Sequence, residues 1–149
     1  GSYNKSNRIV NNNIDMNNLS SSVGLDLNNY CATYVVSGNT VQNTGSHGID
    51  VLYSYGMIIS SNAIFNTGGN GIHFQGGDGL VITSNTIQNT SSEGVRGLIT
   101  SNVTFSNNTA IDCTSYGFYM YSGTDGTAVG NTSNNSDSFG SGFVSGYNQ

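Results

Sequence analysis

The chain has 149 residues, which is the length of one domain, and 35% of them are hydrophobic. Only 7% are charged, the net charge is −5, and Lys5, Arg8 and Arg96 are the only cationic residues, which disfavours nucleic acid as a partner because no basic surface can form. Nine Tyr and six Phe argue against disorder, and no apolar run is long enough for a membrane span.

The chain opens on Gly1–Ser2, which we interpret as a remnant of expression cloning, so that a single domain is expected over residues 3–149. The first part of this domain is irregular. A longer turn near Leu19 to Val23 precedes Gly24, which we expect to take the role of the glycine that recurs later in the chain. We interpret this part as a first, expanded coil of a repeat.

From residue 39 onward the repeat is regular, with a period of 23 residues. Asparagine recurs at Asn39, Asn62, Asn85, Asn108 and Asn131. A second column holds Asn43, Asn66, Asn89, Asp112 and Asn135, and a glycine column holds Gly48, Gly71, Gly94 and Gly117. A fixed period of this length is typical of a solenoid, and we expect the amides of the first column to hydrogen-bond from coil to coil.

Within each repeat, apolar residues alternate with polar ones, as in Ile49 and Val51 or Met57 and Ile59. A period of two indicates strands, and Gly, Ser, Asn and Asp separate them. We therefore predict an all-β, right-handed parallel β-helix of about six coils of 23 residues, with three short strands per coil. One inward stack is expected to contain Val36, Ile59, Ile82, Phe105 and Ala128.

Toward its end the pattern loosens, because Gly142–Phe143 competes with Gly140–Ser141 for the repeat position. Zero prolines are compatible with central strands, and no capping helix is apparent at either end. Open solenoid ends are normally capped, so we expect the chain to be an excerpt of a longer protein or to self-associate end to end.

The motifs Gly-Ile-x-Val at 48–51 and Ser-x-Asn-x-Ile-x-Asn at 60–66 resemble the pectate-lyase-like superfamily of right-handed β-helices. Within it, residues 9–135 are most similar to the coils of mannuronan C5-epimerases and related carbohydrate-binding repeats. The resemblance implies a sugar-directed protein whose substrate groove lies on the outer face of the first strand after the glycine. Tyr116–Tyr119 is the string nearest to an epimerase catalytic signature and lacks its Asp and His.

One column on that outer face carries chemistry, two residues after the repeat glycine. It holds Asp26, Asp50, His73, Arg96 and Tyr119. In lyase or epimerase chemistry, Asp26 and Asp50 would hold Ca²⁺ against a sugar carboxylate, and His73 or Arg96 would take the C5 proton. Tyr119 would donate to the leaving oxygen. Glycoside hydrolysis by the two carboxylates is an alternative, and so is an outward column that is merely polar.

Three side chains are candidate substrate-binding residues: Asp50, which is also assigned to Ca²⁺, and Tyr53 and Tyr121. A tyrosine ring can stack on the apolar face of a sugar. His47 has no Cys or His partner at ligand spacing along the chain, so the sequence does not suggest zinc. Cys31 and Cys113 lie in different columns and are not expected to form a disulfide.

The sequence therefore favours an extracellular or cell-surface, carbohydrate-directed β-helix module with a polysaccharide partner. It would be a polysaccharide lyase or uronate C5-epimerase, or a sugar-binding derivative of one. The alternative is a structural or adhesive solenoid of a cell-surface or phage tail protein. Ca²⁺ is the only cofactor that the pattern suggests.

Overall fold

A computed structural model of the chain describes residues 7–28, 32–121, 124–136, 142–144 and 147–148. Gly1–Ser2, Lys5, Cys31 and Gly140–Ser141 therefore lie outside the described residues. Within these ranges the regular structure consists of nineteen β-strands. The same ranges contain no helix long and apolar enough to cross a membrane.

The strands follow one another in triplets, one triplet per coil. In chain order they are β1 (Asn7–Val10), β2 (Asn13–Asp15), β3 (Leu25–Asn28), β4 (Tyr34–Ser37), β5 (Thr40–Thr44), β6 (Ile49–Tyr55), β7 (Ile58–Ser60), β8 (Ala63–Thr67), β9 (Ile72–Asp78), β10 (Val81–Thr83), β11 (Thr86–Thr90), β12 (Val95–Ser101), β13 (Thr104–Ser106), β14 (Thr109–Cys113), β15 (Phe118–Tyr121), β16 (Gly126–Val129), β17 (Thr132–Asn134), β18 (Gly142–Val144) and β19 (Tyr147–Asn148).

Every third strand pairs in parallel, which builds three sheets. The first sheet runs from β1 through β4 and onward to β19, the second from β2 to β17, and the third from β3 to β18. This arrangement confirms the predicted parallel β-helix with three strands per coil. It arises because each short strand cannot bury its apolar side alone and must stack on the equivalent strand of the next coil.

The register is 23 residues in the regular coils and longer in the first. Ile49 pairs with Ile72, whereas Asn7 pairs with Tyr34 and Leu25 with Ile49. Gly24 donates its N–H to the carbonyl of His47 at 3.1 Å, just as Gly48 donates to Asn70 at 3.0 Å. Gly24 therefore takes the predicted role of the repeat glycine. At the other end, Gly142 pairs with Tyr119, so the 23-residue frame continues.

The core is a thin apolar column enclosed by the three sheets. The predicted inward stack is confirmed, since consecutive members pair in register and all are buried: Val36, Ile59, Ile82, Phe105 and Ala128. A second stack on the third sheet places Gly97 between Phe74 and Met120. A Cβ at Gly97 would stand 2.4 Å from Phe74 Cζ and 2.5 Å from Met120 Sδ, so any larger residue there would force these core side chains to shift.

An asparagine ladder, buried from Asn39 to Asn108, links the coils at the turn between the first and second sheets. Each side-chain Nδ2 donates to the Oδ1 of the next asparagine at 2.9 to 3.0 Å, from Asn12 through Asn39, Asn62, Asn85 and Asn108 to Asn131. The backbone N–H of each asparagine before Asn131 donates to that same Oδ1. The predicted amide ladder is therefore confirmed, and Asn12 extends it by one coil.

The second asparagine column has a different physical basis. Its five members, from Asn43 to Asn135, all have φ between 52° and 56°, the left-handed conformation that Asn and Asp tolerate better than other side chains. Exposed side-chain hydrogen bonds link some neighbours in this column, for example Asn66 Nδ2 to Asn43 Oδ1 at 3.1 Å. Cys113 lies nearby as a buried free thiol in register with Thr90, and burial raises its pKa.

Candidate functional site

The outward face of the third sheet gathers the polar column that the sequence singled out. Asp26 pairs with Asp50, Asp50 with His73, His73 with Arg96, and Arg96 with Tyr119. Asp26 is exposed and the other four are half-buried. Because strands in a sheet are about 4.8 Å apart, side chains in this column can contact those of the adjacent coils.

The closest contact in the column joins Asp50 and His73. Their side chains are each 13% exposed, and His73 Nδ1 lies 2.8 Å from Asp50 Oδ1. A carboxylate only accepts hydrogen bonds, so Nδ1 carries the proton and donates it. Asp50 thereby fixes the ring orientation and the tautomer of His73, which leaves Nε2 as the ring's proton acceptor.

His47 completes a cluster that the sequence did not predict. Its ring stacks on that of His73, with 4.8 Å between centroids and 30° between planes, and its Nδ1 accepts the N–H of Asn70 at 3.1 Å. Burial, followed by the positive potential of nearby His73, lowers the pKa of His47. Ligand spacing along the chain gave no sign of this contact, because the turn before β6 brings His47 beside the next coil.

Arg96 lies on the other side of His73 and borders a shallow surface depression of about 300 Å³. The depression is lined by Gln75, Arg96, Leu98, Tyr119 and Tyr121. Arg96 Nε is buried and has no hydrogen-bond partner among the residues that the structure describes. A buried N–H of a cation without a partner is costly, but a buried atom is closed to solvent, so an external acceptor would reach it only after the side chain moved.

Tyrosine rings border the same depression. Phe118 and Met120 are buried, so Tyr119 and Tyr121 face outward as the alternation predicts. Tyr119 stacks on Tyr116 with 5.3 Å between centroids, and Tyr121 is 49% exposed. Together they provide an aromatic platform beside Arg96.

Tyr53, the other tyrosine assigned to substrate, lies elsewhere on the sheet. It occupies a bend in β6 with φ of 53°, and its ring covers Gly76 of the next coil, where a Cβ would stand 2.7 Å from Tyr53 Cδ1. Tyr53 is 45% exposed and is not among the residues that line the depression. The structure therefore brings together His73, Arg96, Tyr119 and Tyr121 with Asp50, and leaves Tyr53 apart.

The donor set around Asp50 bears on the metal hypothesis. Among the described residues, the group of possible ligands that includes Asp50 contains His47 and His73 and does not include Asp26. Calcium takes six to eight oxygen ligands in general, whereas this group offers two imidazoles and one carboxylate. The group of His47, Asp50 and His73 does not fit a calcium cage, whereas calcium bound by Asp26 and Asp50 stays a prediction.

Comparisons with known proteins bear on the fold. No curated protein matches the sequence. Among solved structures, a double mutant of the periplasmic alginate epimerase AlgG superposes with a TM-score of 0.70 and 18% identity over 87% of this chain. A single mutant of the same enzyme gives 0.53 and 18% over 83%. The chain spans 30% and 34% of those two proteins, and this level of identity indicates a shared fold.

A family model described as a right-handed β-helix region matches residues 2–149. The match covers nearly the whole chain, and it agrees with the parallel triplets and the 23-residue register of the structure. The chain therefore belongs to the family of right-handed β-helix proteins.

Proposed function

We propose that this chain is an extracellular, carbohydrate-directed β-helix module that binds an acidic polysaccharide along the outward face of its third sheet. The observation that carries the proposal is the row formed by the Asp50–His73 pair, the Arg96 side chain beside the depression and the platform of Tyr119 and Tyr121. The fold is shared with an alginate epimerase, which supports a uronate polymer as the ligand class.

The distribution of charge in the chain favours binding of an acidic sugar at Arg96 in particular. The chain has a net charge of −5, so a polyanion is repelled overall and needs a local cation to bind. Arg96 is the only cationic residue on this face within the described part of the chain. Its guanidinium can pair with a uronate carboxylate, while Tyr119 and Tyr121 contact the apolar faces of the sugar rings.

The same arrangement can perform proton abstraction. His73 Nε2, held in its basic tautomer by Asp50, would take the proton from C5 of a uronate residue. Arg96 would stabilise the negative charge that then develops on the sugar carboxylate. Return of a proton to the opposite face gives the C5 epimer. Loss of the oxygen at C4, with a proton from Tyr119, gives a chain break and an unsaturated uronate.

The test is a glycan array of neutral and acidic polysaccharides probed with the purified chain, in calcium and again in EDTA. We expect binding to polyuronates in EDTA, and a weakening of about 5-fold or more in Tyr121→Ala, because stacking on an aromatic ring contributes on the order of 1–3 kcal/mol. Tyr55→Ala is the matched control, since Tyr55 is 47% exposed on β6 outside the depression.

Bound polyuronates are then incubated with the protein. A rise in ultraviolet absorbance would report the unsaturated product of a lyase, and NMR of the polymer would report epimerisation. Binding without turnover would identify a sugar-binding derivative. An absence of binding to every glycan in both buffers would overturn the proposal in favour of a structural or adhesive solenoid.

A further inference from the structure

We propose that His47, Asp50 and His73 form a binding site for a divalent transition metal such as Zn²⁺. Each of these side chains offers one ligand atom, and the three atoms lie within 4.8 Å of one another. The inference is independent of the proposed glycan function, although both use Asp50 and His73.

The backbone holds all three residues in place. Asp50 and His73 are the second residues of β6 and β9 and pair directly in the third sheet. His47 lies in the turn before β6, where its carbonyl accepts the N–H of Gly24 at 3.1 Å and the following Gly48 donates to Asn70 at 3.0 Å. A site on paired strands and a hydrogen-bonded turn loses little conformational entropy when a ligand binds.

The donor types select the metal. Two imidazoles and one carboxylate suit Zn²⁺, Ni²⁺ or Cu²⁺, whereas Ca²⁺ and Mg²⁺ favour oxygen ligands. All three side chains are half-buried, so solvent retains access to the cluster from one side. Three protein ligands with a remaining position for water is the arrangement that zinc adopts in open sites.

Binding has a cost that sets the expected affinity. Donors around a tetrahedral zinc stand roughly 3.3 Å apart, since Zn–N bonds are about 2.0–2.1 Å, so the three side chains must move closer together than 4.8 Å. In the metal-free chain His47 Nδ1 accepts the Asn70 N–H and His73 Nδ1 donates to Asp50. Ligation must displace one of these hydrogen bonds or release a proton. We therefore expect micromolar rather than nanomolar affinity.

The experiment is calorimetric titration of the EDTA-treated, dialysed full chain with ZnCl₂ and, separately, with CaCl₂. We expect one Zn²⁺ per chain with micromolar affinity, weakened by about 10-fold or more in His47→Asn and in His73→Gln, because each removes a ligand. Asparagine is chosen at position 47 because Asn70 occupies the equivalent place in the next coil. Asp125→Asn, a change of an exposed carboxylate on another coil, serves as the control and should bind zinc as the unchanged chain does.

Thermal unfolding of each variant without metal checks that the coils are intact. The inference is overturned if the unchanged chain binds no zinc, if folded His47→Asn and His73→Gln bind it as tightly as the unchanged chain, or if calcium binds better than zinc. Glycan binding is measured in EDTA and zinc binding without glycan. A failure of one proposal is therefore distinguishable from a failure of the other.

Discussion

At the scale of single residues, the buried asparagines illustrate how a polar side chain stabilises an apolar core. Asn85 Oδ1 accepts two hydrogen bonds, one from the backbone N–H of Asn62 and one from Asn62 Nδ2. Asn85 Nδ2 in turn donates to Asn108 Oδ1 and to the carbonyl of Ile59. Asn85 is 1% exposed, so water cannot replace these partners. The ladder satisfies backbone groups at a turn where the sheets change direction.

Asn85→Ala is expected to lower the free energy of unfolding by about 3 kcal/mol, because it leaves two buried donors of Asn62 without their acceptor. Urea unfolding followed by circular dichroism measures the change. Asn66→Gly is the contrast: Asn66 is exposed with φ of 54°, which glycine adopts freely, so a change within about 0.5 kcal/mol is expected. Equal losses in the two variants would contradict the distinction between the columns.

Residue positions also show where sequence reasoning succeeds and where it stops. The relation of Asp50 to His73 was predictable, because residues one period apart share a column. The contact of His47 with His73 was not, because it runs diagonally between a turn and a strand and depends on side-chain rotamers that no period encodes. Asn12 was missed for another reason: the first coil is longer, and Asn12 pairs with Asn39 at a spacing of 27 rather than 23 residues.

At the scale of the strand, the third sheet combines an inward face that determines stability with an outward face that carries the candidate chemistry. Alternation assigned both faces correctly for Phe118 to Tyr121 in β15. It could not predict the strand lengths, since β6, β9 and β12 each extend to seven residues where short strands were expected. The continuation rests on local backbone conformations, such as φ of 58° at Gly76, which the apolar pattern does not specify.

Within β12, Gly97→Ala is expected to destabilise the protein by about 2 kcal/mol, because the new methyl group would overlap Phe74 and Met120 in a packed core. Chemical denaturation again measures the loss. Thr86→Ala, at an exposed position of β11, should stay within about 0.5 kcal/mol.

A double-mutant cycle tests the stated cause. Phe74→Leu removes part of the ring that Gly97→Ala would meet, so the double variant should be less destabilised than the sum of the two single variants. Additivity within about 0.5 kcal/mol would refute overlap as the cause.

At the scale of the whole molecule, the solenoid is a stack in which each coil contacts mainly its neighbours, so its two end coils differ from the rest. Within the described residues, strands β1, β2 and β3 stand at one end of the three sheets, and an edge strand in general offers backbone groups for pairing. With 7% charged residues, the chain has little electrostatic repulsion to oppose contact between ends.

We therefore expect end-to-end association in solution, visible as a sedimentation coefficient that rises with protein concentration. Lysine on an edge strand disfavours such pairing, so Asn7→Lys with Asn13→Lys, at exposed positions of β1 and β2, should shift the protein toward monomer. Thr86→Lys with Thr104→Lys makes the same charge change at exposed positions of inner coils and should leave association unchanged. A clean monomer of the unchanged chain at high concentration would refute the expectation, and equal effects of the two lysine pairs would assign association to net charge rather than to the sheet edges.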